Sequence, residues 1–446
     1  MTKATHTNIE ANSLPTVSHG QGCYVFDSTG KQYIDGSGGP AVFSLGHSHP
    51  EVNEAIKQQL DRIAHGYRYT FTSDPLMQLN EHIQSQTGPG FEHIAYVSSG
   101  SEAVESALKI ALHYHWVCGD RSRTGIIARE RSYHGNTLGA LSVSGFAQRR
   151  KQFEKSLIPC SFVSAANVYR PAIDGDEAAL TDYLADELEQ NILQQGAENI
   201  AAFIFEPVVG AAGGVVPAPA GYARRVRDVC DRYGVLLIAD EVMCGSGRTG
   251  SWRALEQDDG VLPDIMAVAK GLGGGYIPLG AVLYSDRVAE PILATDGAPN
   301  TGHTFTGHTL ACAAAAMVQE IVRRDNLLDY VREQGPVLMS TLHDAVGDLD
   351  AVGDIRGRGH FVGIELVANR DTRQPFDPEL QLTDRLRART LEAGLILYLV
   401  NGTVDGVVGD VAIVAPPYIA TTAELDEIAD KFSTSLRCAL ADIDAA

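Results

Sequence analysis

Between about residues 93 and 285, short apolar runs alternate with stretches of helical period, and nothing else in the chain restricts its fold as much. The runs IAYV, TGIIA, AAFIF, VLLIA and IMAVA are almost wholly apolar, the pattern of strands covered on both faces. SEAVESALKIAL and YARRVRDVCDRYG carry apolar residues three and four apart, the pattern of helices. Their alternation predicts an α/β fold with a mainly parallel sheet between layers of helices. Ligands of such sheets bind beyond the carboxyl ends of the strands, where loops converge and helix N-termini aim their N–H groups at anions.

At 446 residues the chain exceeds what one hydrophobic core spans, so at least two domains are expected. Residues 1–60 read as an N-terminal segment that joins the smaller of them. Within it GQGCYVFDSTGKQYIDG alternates around the turn DSTG as a β-hairpin does, and Pro50 opens a helix with Val52, Ile56, Leu60 and Ile63 on one face. Residues 61–325 form the large domain. From 326 to 446 the pattern is mixed: the strand HFVGIELV, a helix near 380–393, the strand VAIVAPPYI and an amphipathic C-terminal helix make a smaller α+β domain.

Thirty-five basic residues against 56 acidic ones give a net charge of −21, which repels phosphodiester backbones and anionic lipid. Nucleic acid and membrane surfaces are therefore poor partners. The seven cysteines, at 23, 118, 160, 230, 244, 312 and 438, show no CxxC spacing and point to reduced thiols. The opening MTKATHTNIEANSLP has no apolar stretch of the signal-peptide kind and no run of 18 apolar residues follows, so a cytoplasmic location is expected. No metal is expected, since HExxH is absent and His303 and His308 stand five apart in one loop block.

After IAYV stands Ser98-Ser99-Gly100-Ser101-Glu102, and a helix starts at once. Hydroxyls and a glycine at a helix N-terminus suit a phosphate, while Ser-Gly-Ser-Glu is equally an ordinary capping box. After TGIIA comes Arg131-Ser132-Tyr133-His134-Gly135-Asn136, where Tyr133 either lies against a planar ligand or packs on the core. Glu206 follows AAFIF and Asp240 follows VLLIA; a carboxylate there needs a partner, whether helix cap, ion pair or ligand.

Lys270 follows IMAVA, one of only eight lysines and the only one between Lys155 and Lys431. A lysine at the end of an apolar run is costly as a cation, but with a depressed pKa it is an amine that condenses with aldehydes. Together these positions meet the needs of pyridoxal 5'-phosphate: a lysine for the aldehyde, a carboxylate that keeps the pyridine nitrogen protonated, an aromatic ring for one face and a helix N-terminus for the phosphate. Residues 245–250, GSGRTG, also satisfy the dinucleotide fingerprint GxGxxG after a strand, but SWRALEQDDG follows where that fold needs a long helix.

From roughly residue 20 to its end the chain resembles the class III aminotransferases among the fold type I pyridoxal-phosphate enzymes. The resemblance is carried by SSGSEAVESALKIA, RSYHGNTLGALSVSG, FEPVVG, IADEVMCGSGRTG, PDIMAVAKGLGGGYIPLGA, GHTFTGHTLACAAA and RGRGHFVGIEL. It implies an aspartate-aminotransferase-like architecture with a sheet of the seven-stranded type. It implies ping-pong transfer of an amino group from an amine or amino acid to a keto acid or aldehyde, with epimerase, decarboxylase or aminomutase activity as the alternative. By the same resemblance Lys270 is the Schiff-base lysine and proton shuttle, Asp240 partners the pyridine nitrogen, and Val242 and Tyr133 pack the ring with His134 beside them. Ser99, Gly100 and Ser101 hold the phosphate and Glu206 supports the pocket. His303 and Thr304 reach the phosphate from a neighbouring protomer, implying a homodimer with shared sites, or a tetramer.

Many glutamate-using members of that family carry a glutamate five positions after the EP glutamate, paired with an arginine shortly before the last strand. Here the first position is Ala211, and no arginine or lysine lies between Arg389 and Lys431. Arg68, in HGYRYTFTS, is the expected replacement contact for a substrate carboxylate, with Phe43 as a second substrate-lining residue. Met243 stands where the family places a glutamine beside the ring.

Overall fold

The computed structural model describes residues 14–258 and 260–445. The first thirteen residues, which open the expected N-terminal segment and make up most of the stretch without a signal-peptide pattern, lie outside the described residues.

The large sheet contains β1 (His93–Val97), β2 (Gly125–Arg129), β3 (Ser161–Val163), β4 (Ile200–Phe205), β5 (Leu236–Asp240), β6 (Ile265–Val268) and β7 (Gly280–Tyr284). Their order across the sheet is β1-β7-β6-β5-β4-β2-β3. All run parallel except β7, which is antiparallel to both neighbours and pairs Gly280 with Val97 and Ala281 with Val268. The five apolar runs are all strands of this sheet; β3 and β7 complete it.

Alternate residues of β5 feed two cores. Leu236 and Ile238 pack with Ala103, Val104 and Ala107 of helix Gly100–Val117, whereas Leu237 and Ala239 pack with Val226 and Cys230 of helix Tyr222–Tyr233. A strand covered on both faces has no place for polar side chains, which is why these runs are apolar throughout. Truncating fully buried Leu237 to alanine costs about 2–5 kcal/mol.

The N-terminal strands Val17–Gln21, Tyr24–Asp27 and Gln32–Asp35 form a meander whose last strand pairs in parallel with Leu395–Ile396. The C-terminal part has its own antiparallel sheet, in the order Val352–Arg358, Phe361–Leu366, Asp410–Val414, Tyr398–Asn401. Its core joins Leu338, Ile364, Leu386, Leu425 and Phe432. The strand predicted over VAIVAPPYI stops at Val414, because Pro416 and Pro417 have no N–H to give the ladder.

Helix Pro50–Arg62 corrects one expectation. Val52 turns inward, but Leu60 and Ile63 are 57% and 52% exposed, and Ile63 lies just past the helix. The buried side chain is Gln59, whose Nε2 donates to the Ile63 carbonyl oxygen at 2.7 Å. All seven cysteines are free. Among the described residues no helix is long and apolar enough to cross a membrane, and no three His, Cys, Asp or Glu side chains stand together as metal ligands.

Candidate active site

The carboxyl ends of β1, β2, β4, β5 and β6 open onto one cleft of about 400 Å³, and the N-terminal end of β7 closes its side. Ser99, Gly100, Ser101, Tyr133, His134, Glu206, Asp240, Val242 and Lys270 all line it, as do Met243 and Ala211.

Ser99 caps helix Gly100–Val117, its hydroxyl accepting from the Glu102 N–H at 3.2 Å, while the Glu102 carboxylate accepts from the Ser98 N–H at 2.7 Å. Ser99 is thus an N-cap, though the Glu102 carboxylate reaches Ser98 rather than the cap residue that a capping box requires, and the N–H groups of Gly100 and Ser101 in the first turn stay without intrahelical acceptors. A Cβ on Gly100 would stand 2.7 Å from Val242 Cγ1, so only glycine lets the helix start approach the Val242 wall. The Ser101 hydroxyl accepts from the Asn136 N–H at 3.0 Å and ties the helix to the Tyr133 loop.

Asp240 is 3% exposed. Its Oδ2 lies 2.7 Å from His134 Nδ1, and its Oδ1 accepts from the Val242 N–H at 3.0 Å. His134 Nε2 is buried without a partner among the described residues. Glu206 accepts from the Tyr133 N–H at 2.9 Å and from the Gly210 N–H at 2.8 Å, and its carbonyl oxygen accepts from the Arg129 guanidinium. Burial pushes the Glu206 pKa above the usual carboxylate range. The two carboxylates thus divide: Glu206 fixes the Tyr133 loop, and Asp240 stands on neighbouring β5 with only His134 and one N–H as partners.

Lys270 begins a short 3-10 turn, Lys270–Leu272, and has φ +43°, in the left-handed region that non-glycine residues avoid. Its carbonyl oxygen accepts from the N–H groups of Gly273 at 3.1 Å and Gly274 at 3.0 Å. Burial lowers the pKa of its amine, and the charges of Asp240 and Glu206 only partly oppose that. A lysine held this way approaches a neutral nucleophile. The set fits pyridoxal phosphate on its own geometry: open N–H donors at a glycine-lined helix start, an amine disfavoured as a cation, and a carboxylate with acceptor capacity to spare.

Other predicted residues stand elsewhere. Phe43 backs the wall: a Cβ on the lining residue Gly275 would meet its ring at 2.6 Å. Arg68 is exposed, donates to Tyr69 Oη at 2.7 Å, and borders a second cavity of about 270 Å³ with Thr301 and Gly302. His303 and Thr304 are exposed on the same loop, where the His303 N–H donates to Thr306 Oγ1 at 3.0 Å. None of these three joins the cleft of its own chain. Residues 245–250 form turns leading only to the short 3-10 segment Ala254–Gln257, without the helix a dinucleotide site needs; Arg248 there is buried and donates to the carbonyl oxygens of His360 and Pro416. Val42, Ile277, Pro278 and Leu279 also line the cleft and were not anticipated. The last three precede a strand that leaves the cleft rather than arriving at it, so a search of segments after strands passes them by.

The family model for Aminotransferase class-III matches residues 6–436. A protein of Bacillus subtilis (strain 168) named uncharacterized aminotransferase YodT is 38% identical over 426 residues, covering 96% of each chain. An (S)-enantioselective omega-transaminase from Thermomicrobium roseum superposes with a TM-score of 0.90 at 32% identity, over 98% of this chain and 96% of that one. The omega transaminase from Pseudomonas jessenii in complex with PMP superposes with a TM-score of 0.91 at 30% identity, over 99% and 97%. With the strand ends converging as described, the chain belongs to the class III aminotransferases: it is a fold type I transaminase that works with pyridoxal 5'-phosphate.

Proposed function

We propose that the chain acts as a homodimer that moves an amino group from an amine or amino acid to a keto acid or aldehyde, with Lys270 holding the cofactor aldehyde. The observation that carries this reading is the Lys270 amine, disfavoured as a cation, at the end of β6, beside the β5 strand that ends in Asp240.

When bound, the cofactor takes up the electrons released as the substrate Cα–H bond breaks. The Lys270 amine, whose pKa burial lowers, would take the proton from the donor's Cα and deliver it to the cofactor's aldehyde carbon, and would carry it the other way, onto the acceptor's former carbonyl carbon, in the second half of the cycle. Asp240 holds positive charge at the ring nitrogen, and His134 keeps that carboxylate oriented from 2.7 Å. Tyr133 and Val242 bracket a planar ring, while Glu206 holds the Tyr133 loop still. The N–H groups of Gly100 and Ser101, at the positive end of their helix, bind the phosphate.

Tyr69, Phe71 and Phe305, at 73%, 66% and 56% exposure, supply exposed apolar surface on the segments that carry Arg68, His303 and Thr304, and in this reading they make one face. A second copy covering this face brings those two residues to its phosphate, and Arg68, packed against Gly302, steadies the loop. The compartment in this reading is the cytoplasm, in keeping with seven free cysteines.

Borohydride reduction of the holoenzyme followed by peptide mass analysis gives a pyridoxyl adduct on Lys270; an adduct elsewhere overturns the site. Adding an amine alone converts the cofactor to its pyridoxamine form. Its absence, with racemisation or loss of carbon dioxide instead, favours the epimerase or decarboxylase alternative.

A further inference from the structure

One cation resting on the cleft-lining Tyr133 has no part in the chemistry above. After Phe146 the chain makes a four-residue helix, Ala147–Arg150, that ends in two arginines. Arg150 donates to the carbonyl oxygens of Leu141, Ser142 and Ser144 and is fully engaged by backbone. Arg149 turns the other way. It is exposed, and it makes no hydrogen bond or ion pair with any described residue.

Its guanidinium carbon lies 5.1 Å from the centre of the Tyr133 ring and 5.4 Å from that of Phe146. The two rings are perpendicular, with centroids 6.3 Å apart. Aromatic faces hold a cation in position without neutralising it. Tyr398 lies close enough to feel the Arg149 charge, which opposes the burial that pushes its hydroxyl pKa up, and the same balance holds at Tyr133. Neither phenol hydroxyl has a hydrogen-bond partner among the described residues. Tyr133 lines the cleft, and Tyr398 packs in one cluster with Met243, which also lines it.

Behind the Tyr133 and Met243 wall of the cleft there is thus a guanidinium with no ion pair and two phenol O–H groups without partners among the described residues, in a chain with no arginine or lysine between Arg389 and Lys431. We infer that Arg149, with the hydroxyls of Tyr133 and Tyr398, binds the carboxylate of the amino-acid donor and keto-acid acceptor. Planar guanidinium and phenol O–H groups are the donors that carboxylates favour, and a cation already held by two rings loses little freedom on binding. Arg68, bordering a different cavity, is replaced in this role. The inference rests on the transaminase reading of the cleft.

Two measurements on the holoenzyme test it. In the first, the pyridoxamine form reacts in single turnover with pyruvate or with propanal, which match in length but differ in the carboxylate. Arg149→Ala lowers the pyruvate-to-propanal ratio of kcat/KM by about 10- to 100-fold, Arg149→Lys recovers part of it, and Tyr398→Phe lowers it about threefold to tenfold. An equal loss with both acceptors, or no change in the ratio, overturns the assignment and makes Arg149 a packing residue. The second is calorimetric titration with propionate and propionamide, neither of which turns over. Preference for propionate that disappears in Arg149→Ala supports the site, and no preference in the unaltered enzyme overturns it. Failure of the unaltered enzyme to form the pyridoxamine form with any amine counts against the transaminase reading, while the titration still decides the carboxylate site. If Arg149→Ala does not fold, Arg149→Lys and Tyr398→Phe keep both rings, and an unchanged ratio in both overturns the inference.

Discussion

At the floor of the cleft, Lys270, Asp240 and Glu206 end the adjacent strands β6, β5 and β4, and the two carboxylates are buried and hydrogen-bonded within the chain. Around it lies a rim in which Arg149 rests on aromatic rings behind Tyr133, while Arg68, His303 and Thr304 stand exposed outside the cleft of their own chain, where a second copy would have to bring them in. The floor is held by the sheet itself; the rim is held by surface contacts and, in the proposed dimer, by a second copy. Chemistry that every substrate shares belongs on the rigid part, and choice among substrates belongs where side chains change without disturbing a core.

The sharpest break of the floor is Lys270→Ala, which lowers the transamination rate about 10²- to 10⁴-fold and leaves no borohydride adduct. Asp240→Asn follows, with a loss of about 10²- to 10³-fold in kcat at nearly unchanged unfolding temperature, since it removes charge without volume. Gly100→Ala weakens pyridoxal-phosphate binding about tenfold by setting a Cβ against Val242, and pairing it with Val242→Ala recovers part of the loss; spectroscopic titration of the cofactor reads both. At the rim, His303→Ala changes cofactor affinity only a fewfold, and only at protein concentrations where sedimentation finds the dimer.

The smallest effect is on pH. The folded Lys270 amine has a pKa below its unfolded value, so over that interval the unfolded chain holds a proton the folded chain has lost. The stability of the cofactor-free enzyme therefore rises as pH climbs through the folded pKa toward the unfolded one, and Lys270→Met flattens that rise in thermal melts.

The same division governs what the sequence reveals. Lys270, Asp240 and Glu206 each follow a short apolar run within a strand–helix alternation, so their shared edge is legible in the sequence. β7 is not, because period and composition carry no strand direction, and GAVLY reads the same whether it enters or leaves the cleft. Leu60 and Ile63 keep the period of a buried face yet point outward, since periodicity cannot say whether the cover comes from the same chain. Arg149 was hidden for a related reason. The family pattern puts a carboxylate contact just before the last strand, where this chain has none, and Arg68 is the expected replacement; the fold instead sets FAQRR against Tyr133. Two arginines in a row after Phe146 were the available signal, but nothing linear separates Arg150, spent on carbonyl oxygens, from its free neighbour.

The antiparallel strand also sets a timetable. On the ribosome β1 emerges early, yet its only neighbour in the sheet is β7, made last of the seven. Until Gly280 meets Val97, β1 has no partner in the sheet and β6 keeps one edge open, each ready to pair with the wrong chain. The phosphate-binding helix follows β1 directly and the lysine follows β6, so the two halves of the cofactor site meet only when that late strand slots between them. A stalled or truncated chain ending before Tyr284 is thus both inactive and sticky, and chaperone capture of this protein should peak just before that point in synthesis.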